Sequence, residues 1–572
     1  MLIRPRHSNY KVVSLVLRRM RAPLIVLISA YAVSVLGFVL IPGVDDRGDP
    51  WHMSFFHAFY FVSYMATTIG FGEIPYPFTN AQRMWTTFSV YLTVIAWLYA
   101  IGKILALAQD PALQRAITEN RFVRNVRQIR DPFYLICGYG DTGTLITKAL
   151  TQRGLRAVVI DIKQDRINEL LLTELDVYVP GLCADAGDPN TLRNAGLKSP
   201  FCVGILALTN GDHTNLEIAI SGKLLNSSLR VICRAETEAT QANMASFGTD
   251  YVINPFEAFA EEMATALHSP ELHRVFDWLT QLPRTPLTRH TPPPAGHWIL
   301  CGYGRFGRSM DKHLKRQGVS TTIVEADPVS TQCEGACIVG KGTEAVTLLA
   351  ADVKHAAGIV AGTNDDADNL SILMTAKELN PELYTVARQN KRGNDLVFAA
   401  IKSNHVMQYS EVVTLKVLAL VTTPLLYEFL RLLKQQGNDL AREVIPRIEQ
   451  VCDQIVPDIW TLHINYKSAL AVTHAIENGR SVQLGHLTSD PRARERQLRC
   501  LPLLIRRGEE SILLPEVNEP LQSGDQILLC GRYGISELMR WTLQNHNTLR
   551  YIESGETRPD GYIWRWFARQ RS

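Results

Sequence analysis

Three short stretches of this chain combine residue types and spacings that suit chemistry. The first is Thr67-Thr68-Ile69-Gly70-Phe71-Gly72-Glu73. Alternating glycines can take φ values closed to other residues, so consecutive carbonyls can face one way and replace the water around a K+ ion. The Thr68 hydroxyl adds an oxygen at the inner end of that row. The other two stretches are Gly138-Tyr139-Gly140-Asp141-Thr142-Gly143 and Gly302-Tyr303-Gly304-Arg305-Phe306-Gly307. In such a turn the first glycine bends the chain, the second lets backbone approach a pyrophosphate, and the third lets helix pack on strand. The following helix N-terminus attracts the phosphates. An acid stands 23 residues after each first glycine, Asp161 in one loop and Glu325 in the other, placed to accept hydrogen bonds from an adenosine ribose. Asp141 would repel a pyrophosphate, whereas Arg305 and Arg308 would assist one, so charge favours the second loop. Against these readings stand an ordinary turn between two membrane helices and a pair of turns that outlived their ligand.

A fourth group, Asp185, Asp188, Asp212, Asp365, Asp366 and Asp368, raises a Ca2+ site, because hard cations take loop oxygens. The spacing fits no EF-hand, and the alternative is a set of solvated or helix-capping carboxylates.

Elements must position these groups. The 572 residues exceed one core, and 46% hydrophobic with 20% charged residues suits a mostly soluble protein with a small membrane portion. Residues 23–42 carry no charge and suffice to cross ~30 Å of hydrocarbon as a helix. A cleaved signal peptide fits less well, since the run is long, lacks a small-residue cleavage site and precedes a second span. That second span, 84–108, is interrupted only by Lys103, and its one glycine, Gly102, lies far down the helix. Between the spans an aromatic-rich helix is expected over 51–65, just ahead of the threonines. Arg4, Arg6, Lys11, Arg18, Arg19 and Arg21 precede the first span, and Arg115, Arg121, Arg124, Arg127 and Arg130 follow the second. The positive-inside rule then makes both termini cytoplasmic. All ten cysteines lie at or beyond Cys137, on the reducing side, and the Cys333/Cys337 pair lacks the companions of a zinc site.

After a basic, helix-favouring linker the chain repeats itself. Phe133–Cys137 and 297–301 are apolar runs that feed the two glycine loops. Thr209-Asn210-Gly211-Asp212 with Asn215 matches Thr363-Asn364-Asp365-Asp366 with Asn369. Short apolar runs alternating with helical segments read as doubly wound α/β in both copies. Thr291-Pro292-Pro293-Pro294 marks the join. The expected organisation is an N-terminal segment 1–22, a pore domain 23–108, a linker 109–130, modules 131–290 and 291–450, a small α+β lobe 451–540 and a tail 541–572. Trp564, Trp566 and Phe567 in the tail are expected to pack against the protein.

Thr67 to Gly72 resembles the pore loop of potassium channels, usually Thr-Val-Gly-Tyr-Gly-Asp, with Ile69, Phe71 and Glu73 as departures. Phe71 removes a hydroxyl that could tether the filter to its supporting helices. The two modules resemble RCK domains, regulators of K+ conductance, with crossover helices at 256–279 and 411–436. The resemblance covers nearly the whole chain. It implies a membrane α-helical pore of two transmembrane helices plus a pore helix, carrying two cytoplasmic Rossmann-like RCK modules and a small C-terminal lobe. It further implies a multi-pass protein of the inner (plasma) membrane, assembled as a homotetramer with eight modules in one ring. K+ would sit at the carbonyls of Ile69, Gly70, Phe71 and Gly72, and an NAD or ADP-type nucleotide at either glycine loop. No enzyme activity and no nucleic-acid partner are implied. The competing functions are a nonselective cation channel on the same scaffold and a membrane-anchored pyridine-nucleotide oxidoreductase. No Ser/Tyr/Lys or His/Asp set stands out for hydride transfer, and a transporter subunit would need several more pore repeats.

Overall fold

Residues 7–281, 285–287, 291–333 and 337–556 are described by a computed structural model, in two units, Met1–Ile129 and Arg130–Ser572. Arg4, Arg6 and the tail aromatics Trp564, Trp566 and Phe567 lie outside the described residues. In the first unit, α1 (His7–Leu40) runs through Pro23, and its Arg18–Leu40 portion is long and apolar enough to cross a membrane. The expected start at residue 23 marks where charge ends, and the backbone stays helical through the arginines before it. α2 (Phe55–Ala66) begins later than expected. Ser54 caps it by accepting from His57 N at 3.3 Å, and Pro50–Trp51 instead pairs with Gly43–Val44. α3 (Asn80–Ala108) starts earlier than residue 84 because Thr79 and Gln82 close a capping box, and it is the second span. Gly37 lets the two spans meet: a Cβ there would lie 2.0 Å from Trp85, whose indole N–H donates to Ser34 O at 3.0 Å. Phe61 joins α2 to α1 and to the loop before α3, with ring centroids 4.9 Å from Phe38 and 4.9 Å from Phe78. α4 (Pro111–Gln128) is capped by Asp110, which also pairs with Arg19.

The second unit contains two six-stranded parallel sheets of one topology. In the first module, β1 (Phe133–Cys137) leads to α5 (Asp141–Gln152), β2 (Arg156–Asp161), α6 (Gln164–Leu172), β3 (Gly181–Cys183), β4 (Cys202–Ala207), β5 (Arg230–Arg234) and β6 (Tyr251–Ile253), ordered β3-β2-β1-β4-β5-β6. The crossover helices α7 (Pro255–His268) and α8 (Pro270–Thr280) follow. In the second, β7 (Trp298–Cys301), α9 (Arg305–Arg316), β8 (Thr321–Glu325), β9 (Cys337–Val339), β10 (Gly358–Ala361), β11 (Tyr384–Gln389) and β12 (His405–Gln408) repeat that order, then α10 (Tyr409–Thr422) and α11 (Pro424–Gln436). β1 and β7 are buried along their whole length, as central parallel strands covered on both faces must be.

The crossovers are exchanged. Phe256, Phe259 and Met263 of α7 pack with Trp298, Leu300, Phe306 and Met310 of the second module. Val413, Val417 and Leu420 of α10 pack with Ile136, Ile146 and Leu150 of the first. α10 and α11 are apolar enough to be read as a broken membrane span bent by 111°, but their buried faces belong to these cores. α8, α11 and α12 (Asn438–Val451) then pack beneath a four-stranded antiparallel sheet. Its strands are β13 (Asp458–His463), β14 (Cys500–Arg507), β15 (Glu510–Leu513) and β16 (Gln526–Gly531), ordered β13-β16-β14-β15. Asp525, 1% exposed at the turn into β16, is held by both arms of Arg507 and by Gln522 N.

Candidate functional site: the pore loop and the two glycine turns

The pore loop leaves α2 through two backbone bonds, Thr68 N to Met65 O and Ile69 N to Tyr64 O, each 3.0 Å. Thr68, Gly70 and Gly72 then take φ of +65°, +67° and +97°, with Ile69 and Phe71 between them outside that region. Such alternation turns successive carbonyls toward one side, where a strand would alternate them. A Cβ at Gly70 or Gly72 would meet nothing within 4 Å, so handedness, not space, calls for glycine there. Thr68 adopts the same handedness at a cost of roughly 1–2 kcal/mol. The Gly72 carbonyl accepts from the Tyr64 hydroxyl at 2.5 Å and so faces back toward α2. Of the carbonyls expected to form the ion row, Ile69, Gly70, Phe71 and Gly72, the last is thus engaged by Tyr64.

The hydroxyl that Phe71 lacks is thus replaced from behind the loop. Tyr64 makes the tether, and the Phe71 ring stands edge-on to it at 5.4 Å. Beyond the loop, Glu73 accepts from Arg83 Nε at 2.8 Å and from Phe78 N at 2.7 Å, tying the exit to the first turns of α3. In the sequence Glu73 stands out only as a departure from the usual Asp, and neither Arg83 nor Tyr64, eight residues before its partner, carries a signal.

The glycine turns superpose in their chemistry. Gly138 and Gly302 have φ of +102° and +93°; added Cβ atoms would lie 2.9 Å from Leu208 C and 3.2 Å from Gly362 C. A Cβ on Gly143 or Gly307 would fall 2.1 or 2.0 Å from the carbonyl oxygen of the first glycine, so both helices require glycine to approach. Gly140 and Gly304 differ: each is a helix N-cap without a side-chain cap, and a Cβ on either meets nothing within 4 Å. That open cap is the cradle a phosphate fits. Asp161 accepts from Tyr139 N at 2.6 Å and Lys163 N at 2.8 Å; Glu325 accepts from Tyr303 N at 2.5 Å and Asp327 N at 3.0 Å. Each acid therefore shapes its loop and still has lone pairs for a ribose.

The side chains of Tyr139, Thr142 and Phe306 are buried, so these candidates offer a ligand only their backbone. Tyr303 donates its hydroxyl to Asp311 at 3.1 Å. Burial, with the Asp311 carboxylate beside it, pushes the Tyr303 phenol up to about 12. The two arginines expected to favour the second loop are committed elsewhere. Arg305 pairs with Glu236 and lies over the Phe256 ring, and Arg308 donates to Thr331 O at 2.8 Å and Tyr303 O at 3.3 Å. At the first loop Arg166, unnoticed in the sequence, stands 3.9 Å from Asp141. With both arginines so engaged, charge no longer distinguishes the second loop from the first.

Among the loop acids Asp188 and Asp365 cap helices, and the others hold neighbouring loops or face a cation. Asp212 accepts from Glu236 N and Thr237 N, Asp366 from Asn390 N and Lys391 N, Asp365 from Ala367 N, Asp188 from Asn190 N and Asp185 from Gly187 N. Asp368 faces Lys341 at 3.5 Å. Among the described residues these six do not gather into a ligand set for Ca2+. The repeated Thr and Asn also have a structural task. Asn215 bridges Thr209 to Arg234 O, and Asn369 bridges Thr363 to Arg388 O, each fastening the ends of two adjacent strands.

The family model of an ion channel matches residues 22–110, and that of the TrkA-N domain matches 134–255 and again 298–409. Potassium channel protein 1 of Methanocaldococcus jannaschii is 23% identical over 218 residues, 38% of this chain and 64% of that protein. The voltage-gated potassium channel Kch of Escherichia coli is 23% identical over 234 residues, 40% of this chain and 54% of that protein. The chain thus matches less than two thirds of the length of either relative. A solved structure described as the GsuK channel bound to NAD is 14% identical, covering 94% of this chain and all of that one, with a TM-score of 0.45. Two membrane-length helices flank a glycine-alternating loop, and two parallel sheets each carry a Gly-x-Gly-x-x-Gly turn, so the chain joins one ion-channel domain to tandem TrkA-N modules, the make-up of prokaryotic RCK potassium channels.

Proposed function

We propose that this chain is the subunit of a homotetrameric, potassium-selective channel whose opening is set by an adenine nucleotide of the NAD or ADP type bound to its glycine turns. The observation that carries the reading is the φ alternation at Thr68, Gly70 and Gly72, which lines carbonyls along one side of the loop. One copy cannot surround an ion, and four copies of the row would. Ile69 and Phe71 are 60% and 68% exposed, and α2 exposes Phe55 and Phe56 at 69% and 73%. Apolar surface on this scale is ground for neighbouring subunits and lipid around the pore unit. Asp45, Asp46 and Asp49, in the loop after α1, would enrich cations at the outer mouth, with both termini on the cytoplasmic side of the inner membrane.

Nucleotide binding rests on the open helix caps at Gly140 and Gly304 and on the acids beside them. A ligand moves a pore only through different affinities for its open and closed states, and modest differences at several modules add to the several kcal/mol that a decisive shift needs. Reversal potentials of the purified chain in planar bilayers test the proposal. A large preference for K+ over Na+ is expected, with open probability responding to NAD or ADP on the cytoplasmic face. Equal Na+ and K+ permeability would replace it with a nonselective cation channel.

A further inference from the structure

Where α7 turns into α8, Glu262, His273 and His405 bring one carboxylate oxygen and two imidazole nitrogens within 4.8 Å of one another. Glu262 belongs to α7 and His273 to the first turn of α8, on either side of the Ser269-Pro270 break; His405 opens β12 in the other module. His273 is 8% exposed, and its Nε2 has no hydrogen-bond partner. That nitrogen stands 3.4 Å from Glu262 Oε1. Two ligands of a tetrahedral zinc ion, each bound at ~2.0–2.1 Å, are separated by about 3.3 Å. A cleft lined by His273, His405, Tyr384, Asp277 and Pro292 leads to the cluster.

The duplication supplies a comparison within the chain. An offset of 154 residues carries Tyr251 to His405, Glu262 to Lys416, Ser269 to Thr423 and His273 to Tyr427. At the counterpart of the cluster, Tyr251 and Tyr427 meet edge to face with centroids 5.8 Å apart. At the cluster, His273 and His405 meet in the same way at 6.3 Å. One position thus has an aromatic pair with a lysine, and the other has two histidines and a glutamate at the same three places.

We propose that Glu262, His273 and His405 bind a transition-metal dication of the zinc class, clipping the first module's crossover to the last strand of the second module's sheet. Two imidazoles with one carboxylate select Zn2+ or Co2+ over Ca2+, which takes oxygen ligands. Arg274 lines the cleft, and Lys416 is the cation that faces Glu262. Burial holds its ammonium below the usual lysine range, opposed by Glu261 and Glu262. Glu261, itself paired with Lys434, is the other carboxylate neighbour of Lys416.

The test uses the full chain in detergent, stripped of metal by a chelator. Co2+ is expected to raise a visible absorption band that saturates at one equivalent per chain and is erased by Zn2+ but not by Ca2+. His273→Ala, His405→Ala and Glu262→Gln each weaken Co2+ binding by about 100-fold, the upper end of losses seen for supporting groups alone. Lys416→Met tightens binding, because a competing charge is gone. The double variant His273→Tyr with His405→Tyr restores the aromatic pair of the duplicated position, so it is expected to fold and to lack the band. Cys333→Ser with Cys337→Ser leaves the band unchanged. Absence of the band in the natural chain, its persistence in the folded double variant, or its loss with the cysteine pair would overturn the proposal.

Discussion

Gly140 and Gly304 face open space with backbone angles any residue can adopt, whereas Gly138 and Gly143 are hemmed in by backbone. The two kinds of glycine separate ligand binding from folding. Gly140→Val and Gly304→Val are expected to leave thermal stability within about 1 kcal/mol, the scale of an altered N-cap, while filling the space a phosphate needs. Asp161→Ala and Glu325→Ala are expected to lower stability by ~1–3 kcal/mol, since each carboxylate holds its loop's backbone, and, under the proposed function, nucleotide affinity with it. Calorimetric titration with NAD and ADP, paired with melting curves, checks both statements. Unchanged affinity in all four variants would make the turns structural. The acids at the common offset of 23 were legible in sequence because a Rossmann turn fixes that distance along the chain. Tyr64 was not, because a tether from behind the pore loop depends on how α2 is angled.

At the scale of elements, caps decided boundaries that hydropathy could not. Ser54 and Thr79 accept the first backbone donors of α2 and α3, so the helices begin at these caps and the apolar runs begin elsewhere. α4 is the helical part of the linker, and it ends at Gln128 beside the division between the two units. A flexible Gly/Ser insert of about ten residues after Arg130 is expected to leave K+ selectivity and nucleotide affinity intact and to abolish nucleotide control of open probability. Flexible chain cannot hold tension over a few ångströms, because its ends fluctuate by ~5–6 Å times the square root of its length. Single-channel recording with and without nucleotide is the measurement. Control surviving the insert would assign the signal to direct contact with the membrane-facing helix ends.

Across the molecule, the exchanged crossovers make the two modules one cooperative body. Phe256 lies in the first module's sequence and in the second module's core, where it is 2% exposed and 6.2 Å from Phe306. Phe256→Ala is expected to cost ~3–5 kcal/mol, as for a buried aromatic, and to lower a single unfolding transition of the unit from Arg130 onward. Two separate transitions in calorimetry, with only the first affected, would show that the modules fold independently. The same exchange brings Arg305, Glu236, Arg234 and Tyr409 together, with Arg234 stacked 4.1 Å from the Tyr409 ring. The second glycine turn therefore touches the first module through Arg305.

The residue order by itself determined the two spans, the alternating loop between them, the duplicated doubly wound modules and the paired turns with their acids. Each of these is local: a run of apolar residues, a glycine where φ must be positive, or a strand, turn and helix within some thirty residues. What only the tertiary structure decided depends on partners distant in the chain. The reciprocal seating of α7 and α10 could not be read from their residues, because an apolar helix face suits either module. The loss of Arg305 and Arg308 to Glu236, Thr331 and Tyr303 was hidden because a charge count does not say where a guanidinium points. Glu262, His273 and His405 carry no motif spacing, and a helix bend and a sheet edge from two modules are needed to bring them within reach of one ion.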